Sequence, residues 1–282
     1  MPEDLWDLDD SQERRPFFVR TPLPTEWERF DYYARKVKAI VIGSEFDHED
    51  LIADVCARGK NPLFPKLCAV NMWLVSDTFS YLPFFLTHHV RQVRIYVKCE
   101  WSGRGLNRFL DFLQQRTSRV ESVRLEYEED VDVPYAPLSD FVTPLECLNT
   151  FEWDIPLPWT DVWELAKLPN LHTLKLTVKD PAVNLHGSPL LPFPALLDLD
   201  LTMETMEGCL NFLDALRHRP LHSLVIEGDR TALDDIPSLI QYLSQPRLTE
   251  SLKIIVINGT LDALWVPIPF ERFRPLLLLK HL

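Results

Sequence analysis

Residues 168–178 read LPNLHTLKLTV and residues 193–203 read FPALLDLDLTM, nearly the same line written twice, 25 residues apart. The shared template is apolar, two free positions, apolar, one free position, apolar. It fits Leu171, Leu174 and Leu176, then Leu196, Leu199 and Leu201. Further copies start at Leu221, Leu252, Leu148, Val120 and Val90, and weaker ones at Leu67 and Val37. Successive starts are separated by 30, 23, 30, 28, 23, 25, 25 and 31 residues. Self-similarity at this spacing belongs to chains built of stacked supersecondary units, none of which can bury its apolar face alone.

The last three template positions alternate apolar, free, apolar, which is the period of a half-buried strand. The free position holds Asn71, Arg94, Arg124, Glu152, Lys175 and Asp200 in the second to seventh copies. Strands covered on both faces read as continuous Val, Ile and Leu; here one face is polar. The segments between copies carry helical stripes: Leu106, Phe109, Leu110 and Leu113; Leu210, Leu213 and Leu216; Ile236, Leu239, Ile240 and Leu243. In WTDVWELAKLP (159–169), Thr160 or Asp161 is the expected N-cap, with Pro169 just past the end. The expected fold is α/β: an irregular, right-handed leucine-rich-repeat solenoid, with a parallel sheet on its concave face and helices and loops on its convex face.

Residues 1–36 are expected to form an N-terminal capping segment. Residues 37–282 then form a solenoid of about nine repeats, with an incomplete tenth at Leu282. Regular repeats of this kind often place Asn or Cys three positions after the last strand residue. Here those positions hold Glu45, Val75, Lys98, Glu128, Pro156, Lys179, Glu204, Asp229 and Thr260, so irregular turns are expected. Val41, Ile254 and Val256 would put apolar side chains on the open face of the end strands, and residues 5–33 and 265–273 are the expected covers.

The net charge of −13 argues against a nucleic-acid groove or an anionic membrane surface as partner. The five cysteines are scattered, without C-x-x-C spacing, and read as reduced thiols of a cytoplasmic or nuclear protein. Neither a secretory leader nor an 18-residue apolar run is evident.

Catalytic material is sparse. The DHED segment (47–50) gathers His48 and three carboxylates, but acidic residues favour helix starts, and it reads as one. His88 and His89 are adjacent, which in an extended segment sends the rings to opposite sides and makes a poor chelate. Gly103-Arg104-Gly105 reads as a turn before a helix, and EYEEDVDV (126–133) as a solvated acidic strand end and loop. No catalytic, cofactor-binding or metal residue is assigned, and the chain is not expected to be an enzyme.

The functional expectation rests on the polar face, because stacked strands about 4.8 Å apart present their outward side chains as one surface. Its candidate residues are Trp73, Arg94, Tyr96, Arg124, Glu126, Glu152, Asp154, Lys175, Asp198 and Asp200. Trp, Tyr and Arg are the residue types that most often anchor protein interfaces, and a run of carboxylates beside them would orient a partner by charge. The alternative is that Arg94 and Arg124 simply pair with Glu126 and Glu152 across strands, with Trp73 under the N-terminal cap.

Taken in order, EDLWDL, TPLPTEWERFDYYARKVKAI, LFPKL, LAKLPNL, FPALLDL and FRPLLLL resemble the leucine-rich-repeat portion of F-box proteins from mushroom-forming fungi. The resemblance implies a substrate-recognition half of a cullin–RING ubiquitin-ligase receptor, binding a protein on the concave face without a cofactor. The F-box that docks such receptors onto the ligase adaptor is not recognisable ahead of EDLWDL, so adaptor contact is expected only where an F-box is supplied upstream. A stand-alone repeat scaffold or decoy without ligase contact is the alternative.

Overall fold

From the second copy to the eighth, every template residue between Leu67 and Ile226 is at most 2% exposed. The repeated line is therefore a repeated core. The computed structural model describes residues 6–8, 16–18, 20, 22–43, 49–58, 61–74, 81–97, 103–116, 119–127, 138–142, 144–178, 192–203, 205–216, 219–228, 236–243 and 251–259. These fall into two units, Met1–Ala136 and Pro137–Leu282.

The N-terminal unit opens with a short antiparallel pair, β1 (Trp6–Leu8) and β2 (Pro16–Phe18). Helix α1 (Pro24–Ala34) follows, with Pro24 in its first turn, where a missing N–H costs nothing. Glu26 accepts from the Leu23 N–H at 2.6 Å and is gripped by Arg20 through two hydrogen bonds of 2.9 and 2.7 Å. The Arg20 guanidinium, with the Leu23 N–H, holds the Glu26 carboxyl down at about 2. Arg58, just past α2 (Glu49–Ala57), donates to Asp31 of α1 and lies 4.8 Å over the Trp27 ring.

Strands β3 (Ala39–Ile42), β4 (Ala69–Leu74), β5 (Gln92–Val97) and β6 (Ser122–Tyr127) pair in chain order, all parallel. Their register aligns the template itself: Ile40, Val70, Val93 and Val123 form one row, and Ile42, Met72, Ile95 and Leu125 the next. α3 (Leu82–Phe85) and α4 (Gly103–Arg116) lie in the connections. The predicted stripe of α4 is the buried one, with Leu106, Phe109, Leu110 and Leu113 at most 5% exposed. Gly103 and Gly105 lie in the first turn of this helix and not in a turn before it.

The C-terminal unit repeats the plan. Strands β7 (Thr150–Leu157), β8 (Thr173–Val178), β9 (Asp198–Met203), β10 (Ser223–Gly228) and β11 (Ile254–Gly259) are parallel and again in chain order. Phe151, Leu174, Leu199, Leu224 and Ile255 make one row, and Trp153, Leu176, Leu201 and Ile226 continue the next. Between Trp153 and Leu157 the register against β8 shifts, because Pro156 has no N–H to give the ladder.

The helices are α5 (Ser139–Val142), α6 (Trp159–Leu165), α7 (Met206–Ala215) and α8 (Ile236–Leu243). Two helix expectations are corrected here. The N-cap of α6 is Pro158; Asp161 is buried inside the first turn and accepts from the Leu138 N–H at 3.0 Å. Of the stripe expected at α7, Leu213 and Leu216 are buried, but Leu210 is only half-buried; Met206, Cys209 and Phe212 complete the core face, with Phe212 set against neighbouring rings. Phe212 lies among Trp159, Trp163 and Phe193, with ring centroids 5.2 to 5.8 Å away.

One hydrogen-bond device recurs in both units. The carbonyl of the residue just before β3, β4, β5, β7, β8, β9 and β10 takes two N–H groups from the start of the next strand. Lys38 O accepts from Cys68 and Ala69, and Cys68 O from Arg91 and Gln92. Asn149 O accepts from His172 and Thr173, and His172 O from Leu197 and Asp198. This doubling fixes the register at each strand's start, ahead of any side-chain contact. The fold is α/β, with parallel strands buried on one face and half-exposed on the other.

Val41 is 70% exposed, and Ile254 and Val256 are 55% and 36% exposed. Residues 265–273, the expected C-terminal cover, and Leu282 lie outside the described residues. So do Asp47, His48, residues 128–133 and every irregular-turn position named above except Pro156.

Candidate functional site

The outward side chains form two groups, one on each unit. On the N-terminal unit the ladder sets Asn71, Arg94 and Arg124 side by side, and Trp73, Tyr96 and Glu126 one level further along. Strand alternation puts all six on the half-exposed face, opposite the buried Val93 and Ile95. Trp73 and Tyr96 stack with centroids 4.2 Å apart and planes 13° from parallel. The Arg94 guanidinium lies 4.6 Å from the Tyr96 ring centre and donates through Nε to Glu126 Oε1 at 2.9 Å. Half of the pairing alternative is thus realised, since Arg94 is bridged to Glu126. Even so, the Arg94 side chain remains 40% exposed. Burial, then the Glu126 carboxylate, pushes the Tyr96 phenol above its ordinary range, so it stays protonated at neutral pH.

On the C-terminal unit, Glu152, Lys175 and Asp200 sit abreast on β7, β8 and β9, and Asp198 is level with Thr173. The irregularity in β7 follows directly after Trp153, and Asp154 lies there with Oδ1 3.7 Å from Lys175 Nζ. Burial works against the charge on Lys175. The carboxylates of Asp154, Asp200, Glu227 and Glu152 outweigh it and raise its pKa. Asp200 shows the reverse balance: burial pushes its carboxyl up to about 6, against the pull of Lys175. Its Oδ1 is buried without a hydrogen-bond partner.

Glu227 belongs to this group and was missed from the sequence. It takes a hydrogen bond from Thr202 Oγ1 at 3.5 Å. It occupies the outward level of Tyr96, Glu126 and Asp154, so carrying the same rule into the eighth copy finds it. Next to Asp200, the open face turns apolar at Val225 and Val256, which are register partners.

His88 and His89 do not point apart. They lie in a turn and not an extended segment, and their rings are 3.9 Å between centroids. Among the described residues, no group of three or more His, Cys, Asp or Glu is placed to hold a metal ion. Cys56 and Cys209 are buried, and burial raises their thiols to about 11 and about 12, which leaves them poor nucleophiles. Cys68 is half-buried and Cys147 exposed, all four unpaired; Cys99 lies outside the described residues. Among the described residues, no helix is long and apolar enough to cross a membrane.

No protein-family model matches the chain, and no curated protein is significantly similar to it.

Proposed function

We propose that the chain is a leucine-rich-repeat protein-binding module, and that the half-exposed strand face of its N-terminal unit is where a partner protein docks. The stacked Trp73–Tyr96 pair with Arg94 against it carries this reading. Large rigid rings and a guanidinium, fixed in place before binding, lose little conformational freedom when a partner covers them. The pattern of the repeats, aligned row on row in the ladder, supports the solenoid; the resemblance to F-box receptors supplies the biological role. That role is recognition of a protein destined for ubiquitination, with the chemistry left to the ligase and no catalysis by this chain. Unpaired cysteines suit a cytoplasmic or nuclear setting. The second reading, a scaffold or decoy without ligase contact, is favoured by the same surface, which needs no adaptor to bind.

Affinity purification from native cells tests both. The proteins recovered with the wild-type chain are compared with those recovered by a Trp73→Ala/Tyr96→Ala variant that remains folded under the purification conditions. A partner lost only in the variant supports the docking face; an unchanged set refutes it. Recovery of cullin and adaptor favours the receptor, and their consistent absence the scaffold.

A further inference from the structure

A second polar feature of the N-terminal unit lies at the leading ends of β3, β4 and β5, where Lys38, Cys68 and Arg91 immediately precede the strands. The doubled carbonyl hydrogen bonds hold these three residues side by side. They line a cavity of about 330 Å³ that also receives Lys66, Arg119 and the His88–His89 pair. In a chain of net charge −13, four residues with permanent positive charge and two histidines border one small hollow.

Among the described residues, the carboxylate paired with one of these cations is Glu121, 2.8 Å from Arg91 Nη1. Among the described residues, Lys38, Lys66 and Arg119 are in no ion pair. Like charges gathered around one hollow repel one another, so an anion bound there gains their attraction and relieves that repulsion. The histidine turn is fixed beforehand: the buried Thr87 accepts from the Val90 N–H at its carbonyl and from the His89 N–H at its hydroxyl, 3.2 Å away. Both histidines line the cavity from this turn.

Charge and size together select the ligand. Four cations less the Glu121 carboxylate leave about three positive charges, and a phosphate monoester carries roughly −1.5 to −2 at neutral pH. Two adjacent phosphates match this charge in a volume at the low end for a small-molecule site. A single carboxylate would leave the cations largely uncompensated, while a nucleic-acid strand needs a longer basic track. Planar guanidiniums, two of which are present, suit phosphate oxygens through paired N–H donors.

We propose that this cavity binds a compact ligand bearing two adjacent phosphate groups, a diphosphate or a bisphosphate. No residue of the Trp73–Tyr96 surface lines it, so this site stands or falls independently of the protein-docking reading.

The test is calorimetric titration of the full chain with inorganic pyrophosphate at low salt, with sulfate at matched ionic strength as control. Pyrophosphate should bind more tightly than sulfate, and added salt should weaken it. Lys66→Glu with Arg119→Glu, both on exposed side chains, should weaken binding about tenfold or more with the melt unchanged. Cys68 gives a readout in the unmodified chain: pyrophosphate should slow its alkylation by iodoacetamide, mapped by mass spectrometry, and leave the exposed Cys147 unaffected. Sedimentation with vesicles containing a bisphosphorylated inositol lipid, but not with vesicles of equal charge made with phosphatidylserine, would identify a headgroup as the source. Pyrophosphate binding without such sedimentation would identify a soluble ligand. Equal affinity for sulfate, indifference to the double substitution, unprotected Cys68, or binding of a doubly phosphorylated peptide alone would overturn the proposal.

Discussion

Trp73 and Tyr96 occupy the same level of neighbouring parallel strands and stack at 4.2 Å, so their contact follows from the register of β4 on β5. Offset aromatic pairs contribute about 0.5–1.5 kcal/mol beyond area burial, and two half-exposed rings belong at the low end. A urea double-mutant cycle with Trp73→Ala and Tyr96→Ala should show that coupling. The same substitutions should weaken partner binding by about thirtyfold or more, the effect of losing an interface anchor of about 2 kcal/mol. A large loss of stability with binding intact would make the stack a purely internal feature.

Arg94 bridges to Glu126, yet both side chains keep substantial exposure, 40% and 29%. A pair this wet is worth about 0–1 kcal/mol. Arg94→Glu with Arg124→Glu should therefore move the melting temperature by less than about 4 °C while abolishing partner binding. Calorimetry and a binding titration on one preparation separate the two effects. Unaltered binding would remove these arginines from the site.

Asp200 gives the C-terminal unit a pH dependence of definite sign. Its folded-state pKa, about 6, lies above the ordinary value of 3.8, so the folded chain holds the proton more tightly than the unfolded one. Ionised Asp200 thus subtracts from stability above about pH 6, and that penalty fades as pH falls toward 4. Asp200→Asn should be at least as stable as wild type at pH 7.5, with the gap closing at pH 4.5. Urea unfolding across that range decides it; a variant weakened more at pH 7.5 than at 4.5 would reverse the sign.

Lys175 is the cation that four carboxylates share. Lys175→Met should push the Asp200 carboxyl above its already raised position, because the attraction that lowers it is removed while Glu152, Asp154 and Glu227 remain. Carbon-detected NMR titration of the Asp200 side chain reads this directly, and a downward movement would contradict the geometry.

Phe212 is fully buried among Trp159, Trp163 and Phe193. Phe212→Ala should destabilise by about 3–5 kcal/mol through lost transfer energy and an unfilled cavity. Leu210→Ala, two residues away in the same helix and half-buried, should cost far less. Equal losses in chemical denaturation would contradict the inward placement of Phe212 over Leu210.

The rows of the ladder were legible from the chain alone because period-two alternation and repeat spacing are local properties. Val93, Leu125, Leu174 and Ile226 could be assigned to the core without knowing a single neighbour. The outward level of Tyr96, Glu126 and Asp154 was legible in the same way, and extending the pattern to the eighth copy would have reached Glu227 as well. Rotation of α7 about its axis was not: Cys209, Phe212 and Leu210 are all apolar, and what packs beneath them decides which face turns inward. Asp161 looked like a cap because its type and place suit one, until the Leu138 N–H claimed it from another segment.

The sequence alone determined where strands begin, which face of each is buried, and that the other face is polar except toward the end strands, since all of this is carried by residues a few positions apart. Tertiary structure alone decided that Trp73 stacks on Tyr96, that Lys175 is ringed by carboxylates, and that Lys38, Lys66, Arg91 and Arg119 line one hollow. Those residues belong to different copies, tens of positions apart, and only inter-strand register and turn conformation set the distances between their side chains. His88 and His89 make the point within two residues: a backbone turn, invisible to hydrophobic periodicity, brought together rings that an extended chain would have parted.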